Sequence, residues 1–307
     1  MGPSKHTPTD VISVNGRVFP AGEARISPLD RGFLYGDSVY ETIRTYGGRP
    51  FRLGPHLDRL RRSAAALGID AARAAVDPAV AVEAALSAGG FAESAVRVIL
   101  SRGQGGIGYD DADCGPPTLV VHVRAFVAVP DSWRREGVDV AIVPVRRNAA
   151  AALDPAIKSS NLLNNLLAWR AGRGLGVYEP ILLDAAGMLA EGASSNLFLV
   201  REGRVLTPAL EVGLLRGITR EAVLELARAD GLPAAEEVLP AAALASADEA
   251  FLTSTLKGVL PIRRVDGWPI REGRPGPLTR RLADLYDALA QEETKAGSAP
   301  GTSHSER

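Results

Sequence analysis

Apolar and polar residues alternate in several stretches of the first 127 residues, and this period of two predicts half-buried β-strands. VISVNGRVFP (11–20) predicts a hairpin, because Asn15-Gly16 tolerates the positive φ angles of a two-residue turn. VYETIRTYGGRPF (39–51) predicts a second hairpin that turns at Gly47-Gly48. The other elements predicted here are strands in AVRVILSRG (95–103) and TLVVHVRAFV (118–127), and helices in HLDRLRRSAAALG (56–68) and at about 78–88.

The second half of the chain has the same mixture of elements. Helical spacing occurs in NLLNNLLAWRAGRG (161–174) and ITREAVLELARADG (218–231). Strands are predicted in VDVAIVPV (138–145), PILLD (180–184), SNLFLV (195–200), EAFLTST (249–255) and VLPIRRVDG (259–267), with PILLD and SNLFLV paired to each other. Because strands follow one another without strict β-α-β alternation, the pattern predicts an α+β fold of mixed α/β character, with mixed or antiparallel sheets.

Chain length and local composition predict two domains. The 307 residues suffice for two domains of roughly 150 residues each. We expect a small N-terminal domain at 11–127, an interdomain hinge in AVPDSWRR (128–135) and a large C-terminal domain at 136–290. The polar ends, 1–10 and 291–307, are expected to be a flexible N-terminus and a disordered tail.

Charge and composition exclude several classes of function. The 35 basic and 36 acidic residues nearly cancel, so no net field attracts nucleic acid or an acidic membrane surface. With one cysteine (Cys114) and four histidines that lack HExxH spacing, neither an intrachain disulfide nor a metal site is expected. The polar start MGPSKHTPTD has no apolar signal core, and no apolar run is long enough to span a bilayer. We therefore expect a cytoplasmic protein.

GQGGIG (103–108) matches the dinucleotide-binding fingerprint and follows a predicted strand. That fingerprint needs a helix that begins at its third glycine and directs amide N–H groups at a pyrophosphate. Here the chain continues as YDDADCGPP, which cannot begin a helix. We interpret the segment as a flexible loop at the mouth of a substrate site.

Lys158, in AIKSSNLLNN, and Glu191, in LAEGASSNLFLV, suit one kind of chemistry. A lysine amine can hold an aldehyde cofactor as a Schiff base, and a carboxylate can keep the cofactor's ring nitrogen protonated. Taken singly, such residues are more often ordinary surface residues. Their joint order with other motifs carries the argument.

Two short motifs could bind the phosphate of such a cofactor. GITR (217–220) begins a predicted helix, so its backbone N–H groups and the Thr219 hydroxyl could form an anion site. Thr219 could equally be only a helix cap. TST (253–255) also has two possible roles, because its three hydroxyls could bind phosphate or could simply end a strand.

Together these motifs resemble the fold-type IV pyridoxal-phosphate enzymes. That group comprises branched-chain aminotransferases, D-amino-acid transaminases, aminodeoxychorismate lyases and (R)-amine transaminases. The similarity extends from about Val14 to Tyr286. Its motifs are SPLDRGFLYGDSVYETIR (27–44), HLDRL (56–60), IKSSNLLNN (157–165), EGASSNLF (191–198), LLRGITR (214–220), ADEAFLTST (247–255) and VDGWPI (265–270).

The resemblance implies a two-domain fold whose large domain binds pyridoxal 5′-phosphate. Lys158 would hold the cofactor and act as the acid and base of proton transfer, and Glu191 would pair with the protonated ring nitrogen. The other cofactor-binding residues implied are Arg59, Ile218, Thr219 and Thr255 around the phosphate, Leu215 against a ring face, and Ser195 and Asn196 beside Glu191. The substrate-binding residues implied are Tyr35, Tyr40, Thr42, Arg97 and Ile107.

The resemblance also implies a ping-pong reaction between an amino acid and a keto acid. Tyr35 would reach the active site of the neighbouring subunit, which predicts a homodimer with shared active sites. The other class of function left open is a catalytically inert protein of this fold that only binds or scaffolds.

Arg97 and Gly106-Ile107-Gly108 favour the branched-chain group, so we expect L-leucine, L-isoleucine or L-valine with 2-oxoglutarate. The alternative is a D-amino-acid transaminase without its usual arginine–histidine carboxylate trap, whose positions are taken by Ile107 and Tyr109. The motif sequences IKSSNLL and EGASSN are closer to those of the D-transaminases and favour that alternative. Leu163, which replaces a tyrosine of the branched-chain enzymes, is often shared with the D-transaminases. Three further departures count against the branched-chain group: Ala95 and Val129 replace pocket tyrosines, and Thr42 replaces a glycine by a threonine familiar in the lyases. Lesser alternatives are 4-amino-4-deoxychorismate lyase and (R)-amine transaminase.

Overall fold

The computed structural model describes residues 8–295, so the ends predicted at 1–10 and 291–307 lie partly outside the described residues. The helices are α1 (Arg31–Tyr35), α2 (Leu53–Ala66), α3 (Pro78–Gly89), α4 (Asp131–Glu136), α5 (Ala150–Leu153), α6 (Leu163–Gly174), α7 (Ile218–Ala229), α8 (Ala242–Ala245) and α9 (Pro277–Glu293). The strands are β1 (Val11–Val14), β2 (Arg17–Pro20), β3 (Ser38–Tyr46), β4 (Arg49–Pro50), β5 (Ser94–Ser101), β6 (Thr118–Ala125), β7 (Val138–Ile142), β8 (Glu179–Leu183), β9 (Leu189–Gly192), β10 (Asn196–Arg201), β11 (Arg204–Pro208), β12 (Ala234–Glu237), β13 (Glu249–Ser254), β14 (Gly258–Val265) and β15 (Trp268–Pro269).

The first half forms an antiparallel sheet of six strands in the order β2-β1-β6-β5-β3-β4. Both predicted hairpins are confirmed, with Asn15 at φ 51° and Gly16 at φ 85° in the first turn. Helices α2 and α3 cover one face of the sheet, where Leu60 and Val82 join its buried apolar side chains. This packing explains why the inward-facing residues of β3 and β5 are almost fully buried.

The second half forms a mixed sheet in the order β12-β11-β10-β13-β14-β7-β8-β9, with β15 on β14. The sheet closes on itself because β9 pairs with both β8 and β10. The prediction that PILLD and SNLFLV pair directly is therefore wrong, since β9 lies between them. Its four residues LAEG are buried throughout, so they show no alternation by which the strand could be found. The predicted α+β fold is confirmed.

The two halves share a core rather than meeting only at a hinge. Tyr46 and Phe51 of the first half pack with Phe198, Phe251 and Tyr286 of the second. Within the predicted hinge, residues from 131 onward belong to the short helix α4. Helix α9 continues to residue 293, past the predicted start of the tail. The division into two domains stays a prediction.

Across residues 8–295, no helix is both long and apolar enough to cross a membrane. The cytoplasmic location stays a prediction.

Candidate active site

A cavity of about 480 Å³ is lined by residues of both halves. Strands β3 and β5 and helix α2 contribute from the first half, and β9, β13 and the start of α7 from the second. The predicted site residues in its wall are Tyr40, Thr42, Arg59, Arg97, Lys158, Glu191, Ser195, Asn196, Leu215, Ile218, Thr219 and Thr255. Folding thus gathers residues from most of the chain around one space.

Lys158 lies in the extended segment before α6, and its backbone is tied to the first half. Its N–H donates to Ser63 Oγ at 3.1 Å, and its carbonyl accepts from Tyr40 N at 2.9 Å. The side-chain Nζ lies 4.4 Å from the centre of the Tyr40 ring. Among the described residues no carboxylate lies within 4.0 Å of this amine. Lys158 therefore presents an amine that is not engaged in an ion pair.

Glu191 is a buried carboxylate at the end of β9. Oε1 lies 2.8 Å from Arg147 Nε, while Oε2 accepts from Leu215 N at 3.2 Å and from Asn196 Nδ2 at 3.3 Å. Burial raises the pKa of the Glu191 carboxyl above its ordinary value, although the Arg147 charge opposes that rise. A cationic group placed against this carboxylate would favour its ionised form.

Arg59, from α2, is held in place by a buried acid. Its Nε donates to Glu41 Oε1 at 2.6 Å and its Nη2 to Oε2 at 2.7 Å, while Nη1 donates to the carbonyl of Arg216 at 2.7 Å. Burial alone would raise the pKa of Glu41, but Arg59 and His56 lower it to about 2. The bidentate pair fixes the plane of the guanidinium beside the cavity.

The N-terminus of α7 meets the same part of the cavity wall. Gly217 precedes the helix without a side-chain cap, and a Cβ there would collide with Asn196 Oδ1. The Thr219 hydroxyl lies 3.4 Å from the Tyr286 hydroxyl and does not cap the helix. Thr253 Oγ1 is buried in this wall and has no hydrogen-bond partner within the described part of the chain. Uncapped helical N–H groups, hydroxyls and a cation suit an anion.

Another part of the cavity wall carries a cation, Arg97, next to an aromatic ring. Thr42 and Arg97 are directly opposite each other on β3 and β5. The Arg97 guanidinium carbon lies 3.4 Å from the centre of the Tyr40 ring, and Nη1 lies 3.4 Å from Thr42 Oγ1. Burial lowers the pKa of Arg97. No carboxylate of residues 8–295 forms an ion pair with it, so it remains available to an anionic ligand.

Tyr35 and Ile107, predicted to bind substrate, are not in the wall of this cavity. The Tyr35 hydroxyl accepts from Gly108 N at 2.8 Å, and Ile107 is 86% exposed. The loop around them is bound to Arg31, whose Nη1 donates to the carbonyls of Gly108 (3.0 Å) and Asp110 (3.3 Å). This loop is therefore not at the mouth of the cavity of its own chain.

The sequence profile of the family described as amino-transferase class IV matches residues 38–265. The chain belongs to the class IV aminotransferases. A Methanocaldococcus jannaschii protein, provisionally named a branched-chain-amino-acid aminotransferase, is 35% identical over 275 residues, covering 90% of this chain and 94% of its own. The D-alanine aminotransferase of Bacillus licheniformis is 30% identical over 285 residues, covering 92% and 99%.

Solved structures agree with this assignment. The branched-chain amino acid aminotransferase of T.th., complexed with N-(5′-phosphopyridoxyl)-L-glutamate, has a TM-score of 0.85 and 28% identity, covering 93% of this chain and 95% of its own. Class IV aminotransferases depend on pyridoxal 5′-phosphate. The expectations of a transferase and of this cofactor are therefore confirmed.

The cavity of this aminotransferase fits the cofactor chemically. The anion site of Arg59, α7 and the orphaned Thr253 hydroxyl suits a phosphate. At another part of the wall, Glu191 suits a protonated ring nitrogen, and the free Lys158 amine suits an aldehyde. Within residues 8–295 no group of three or more His, Cys, Asp or Glu side chains is arranged to hold a metal ion.

Sequence reasoning missed several polar residues of this aminotransferase's site. Two of them form ion pairs with predicted residues: Arg147 pairs with Glu191, and Glu41 pairs with Arg59. A local signal existed for Glu41, because an acid at an inward-facing position of a strand must have a partner. The further missed residues are His56, Glu179, Ser194 and Lys257. Their partners lie 15 to 78 residues away in the sequence, beyond any local pattern.

Proposed function

We propose that this aminotransferase transfers the amino group of L-leucine, L-isoleucine or L-valine to 2-oxoglutarate by a ping-pong reaction. The observation that carries the proposal is the position of the Arg97 guanidinium in the cavity wall. One pocket must accept both an apolar side chain and the distal carboxylate of 2-oxoglutarate. The wall combines apolar Leu162, Leu166 and Trp169 with the Arg97 guanidinium, which has no ion-pair partner among residues 8–295. The names of the relatives support the same substrate class.

In this proposal Arg59, the first turn of α7 and Thr255 hold the phosphate, and Leu215 packs against a ring face. Ser195 and Asn196 support the strand connection beside Glu191, which faces the ring nitrogen. The bound cofactor supplies an electron sink for the electron pair left when the substrate Cα loses its proton.

Lys158 Nζ is the group that we assign to take this proton from Cα and to return one at the end of the reaction. Within the described part of the chain Lys158 has no ion pair, which supports the role because a base must be free to lose and gain a proton. Tyr40, beneath both the amine and Arg97, would keep this part of the pocket dry.

A D-amino-acid transaminase is the second candidate, supported by the 30% identity with a D-alanine aminotransferase. Arg97 could anchor the α-carboxylate of either hand. The lyase and the (R)-amine transaminase have less support. The relatives compared above are named as amino-acid aminotransferases.

The deciding experiment adds L-leucine or D-alanine separately to the yellow enzyme and follows loss of the cofactor's long-wavelength absorbance. We expect rapid bleaching with L-leucine. Bleaching with D-alanine alone would refute the L-branched-chain assignment and leave the transaminase. In the second half-reaction, R97M should raise the KM for 2-oxoglutarate much more than that for an apolar keto acid.

We also propose a homodimer in which Tyr35 and Ile107 reach the partner's cavity. Neither contributes to its own cavity, and apolar side chains near α1 and α6 are exposed, among them Phe33 (70%) and Leu163 (72%). Sedimentation should give twice the chain mass. Mixing inactive K158A with a Tyr35 variant of low activity should restore activity, and mixing that restores nothing would contradict shared sites.

A further inference from the structure

Lys257 lies in the wall of the cavity, but none of the proposed roles uses it. Its side chain is 13% exposed, and its ammonium lies 2.6 Å from Glu179 Oε2. It also donates to Ser194 Oγ at 2.8 Å and to Ser195 Oγ at 2.9 Å. All three ammonium hydrogens therefore have acceptors, so Lys257 is held in one position.

Glu179 binds the same turn from the other side. This fully buried carboxylate accepts from Ser194 N at 2.6 Å and from the Ser194 and Ser195 hydroxyls at 3.0 Å each. The turn itself is closed by Gly192 N and the carbonyl of Ser195 at 2.8 Å. A Cβ at Gly192 would lie 2.9 Å from Glu179 Oε1, so the acid is packed directly against the turn.

The turn at 192–195 connects Glu191, at the end of β9, with Asn196, at the start of β10. Asn196 Nδ2 in turn contacts Glu191 Oε2 and the carbonyl of Leu215. Holding the turn therefore holds the carboxylate that would face the ring nitrogen.

Lys257 belongs to a different segment, the connection between β13 and β14. Two residues before it is Thr255, which we assign to the phosphate. The register of β13 with β10 ends at Thr253 opposite Asn196, so the connection at 255–257 extends beyond the paired strands. The Lys257 side chain spans from this connection to the turn at 192–195.

We propose that Lys257, with Glu179, is a positioning residue that holds the phosphate-binding connection at a fixed distance from the turn beside Glu191. This inference rests on the proposed placement of the cofactor. A ligand that is bound at both of its ends gains affinity when the protein holds the two corresponding parts of the site at the correct separation. A ligand bound at the ring end alone gains little from that separation.

The test compares pyridoxal 5′-phosphate with pyridoxal, which lacks the phosphate. Dissociation constants are measured by serial dilution of the holoenzyme, and of enzyme reloaded with pyridoxal, from the cofactor absorbance. K257M should weaken binding of pyridoxal phosphate by about tenfold, and that of pyridoxal by less than about threefold. Equal weakening of both ligands, or no weakening, would overturn the inference.

A second variant separates positioning from charge compensation. K257M leaves Glu179 buried without its cation, whereas K257M/E179Q removes both charges. If the ion pair only neutralises charge, the double variant will regain wild-type affinity for pyridoxal phosphate, and the inference fails. If it links the two segments, the double variant will regain thermal stability but keep the weaker affinity.

Two further variants complete the design. R263M removes a more exposed ion pair of the second sheet, Arg263 Nε with Asp139 at 2.7 Å, outside the cavity wall, and should leave both dissociation constants unchanged. If K257M does not fold, K257R keeps the charge but changes the geometry, and should selectively weaken pyridoxal phosphate; wild-type affinity would refute positioning. Wild-type enzyme that binds neither ligand would instead refute the proposed cofactor site.

Discussion

Replacing Glu41 with glutamine is expected to destabilise the protein by about 3 kcal/mol at neutral pH, and by much less in acid. Glu41 is fully buried, and its carboxylate accepts two hydrogen bonds from Arg59. Its Oε2 also lies 2.8 Å from His56 Nδ1. The glutamine preserves the shape of the side chain but removes its charge. Arg59 then remains buried without a counter-charge, the costly way to break such a pair.

The magnitude follows from the pKa of Glu41, which is lowered from its ordinary 4.5 to about 2. At 1.36 kcal/mol per pKa unit, the difference corresponds to about 3 kcal/mol, as an order of magnitude. Because the pKa is lowered in the folded state, this stabilisation is complete above the ordinary pKa. It is lost as the pH falls toward about 2, and roughly half remains near pH 3.

The assay is urea unfolding of the apoenzyme at pH 7 and near pH 3, so that bound cofactor adds nothing to the stability. The difference in unfolding free energy between wild type and E41Q should shrink by more than about 1 kcal/mol in acid. A difference that stays constant with pH would refute this account of the pair. D58N, which disrupts the exposed pair of Asp58 with Arg61, should change stability little at either pH.

Three other changes have outcomes that the site geometry predicts. R147M removes the cation beside Glu191, so the pKa of that carboxyl should rise further and the acidic limb of the kcat/KM profile should move to higher pH. T219V should weaken cofactor binding about fivefold in an absorbance titration, since a hydroxyl donor is lost at nearly constant volume; unchanged affinity would contradict Thr219 as a phosphate ligand. G217A should reduce cofactor affinity far more than a surface glycine replacement such as G174A, because its Cβ would collide with Asn196.

Where local patterns determine structure, the sequence was sufficient. The Asn15-Gly16 turn follows from the backbone angles these residues tolerate, and α3 begins where Asp77 caps Ala79 N at 2.8 Å. The pairing of β8 and β10 was mispredicted because fully buried β9 has no alternation, and sheet closure depends on neighbours distant in the chain. The placement of Tyr35 and Ile107 outside their own cavity likewise depends on the contacts of Arg31 with a remote loop.

The sequence by itself determined the order and type of most elements and the α+β class, since these depend on periodicity. The assignment of the reactive groups of the site rests on the resemblance of its motifs to the fold-type IV enzymes and stays a prediction. Only the tertiary structure decided which charged groups are partners. Glu41 pairs with Arg59 18 residues away, and Glu179 with Lys257 78 residues away. From the sequence one can infer that a charged residue, if buried, needs a counter-charge, but not which distant residue supplies it. The packing of the two sheets around the cavity brings these partners together, and their pairing determines the electrostatics of the site.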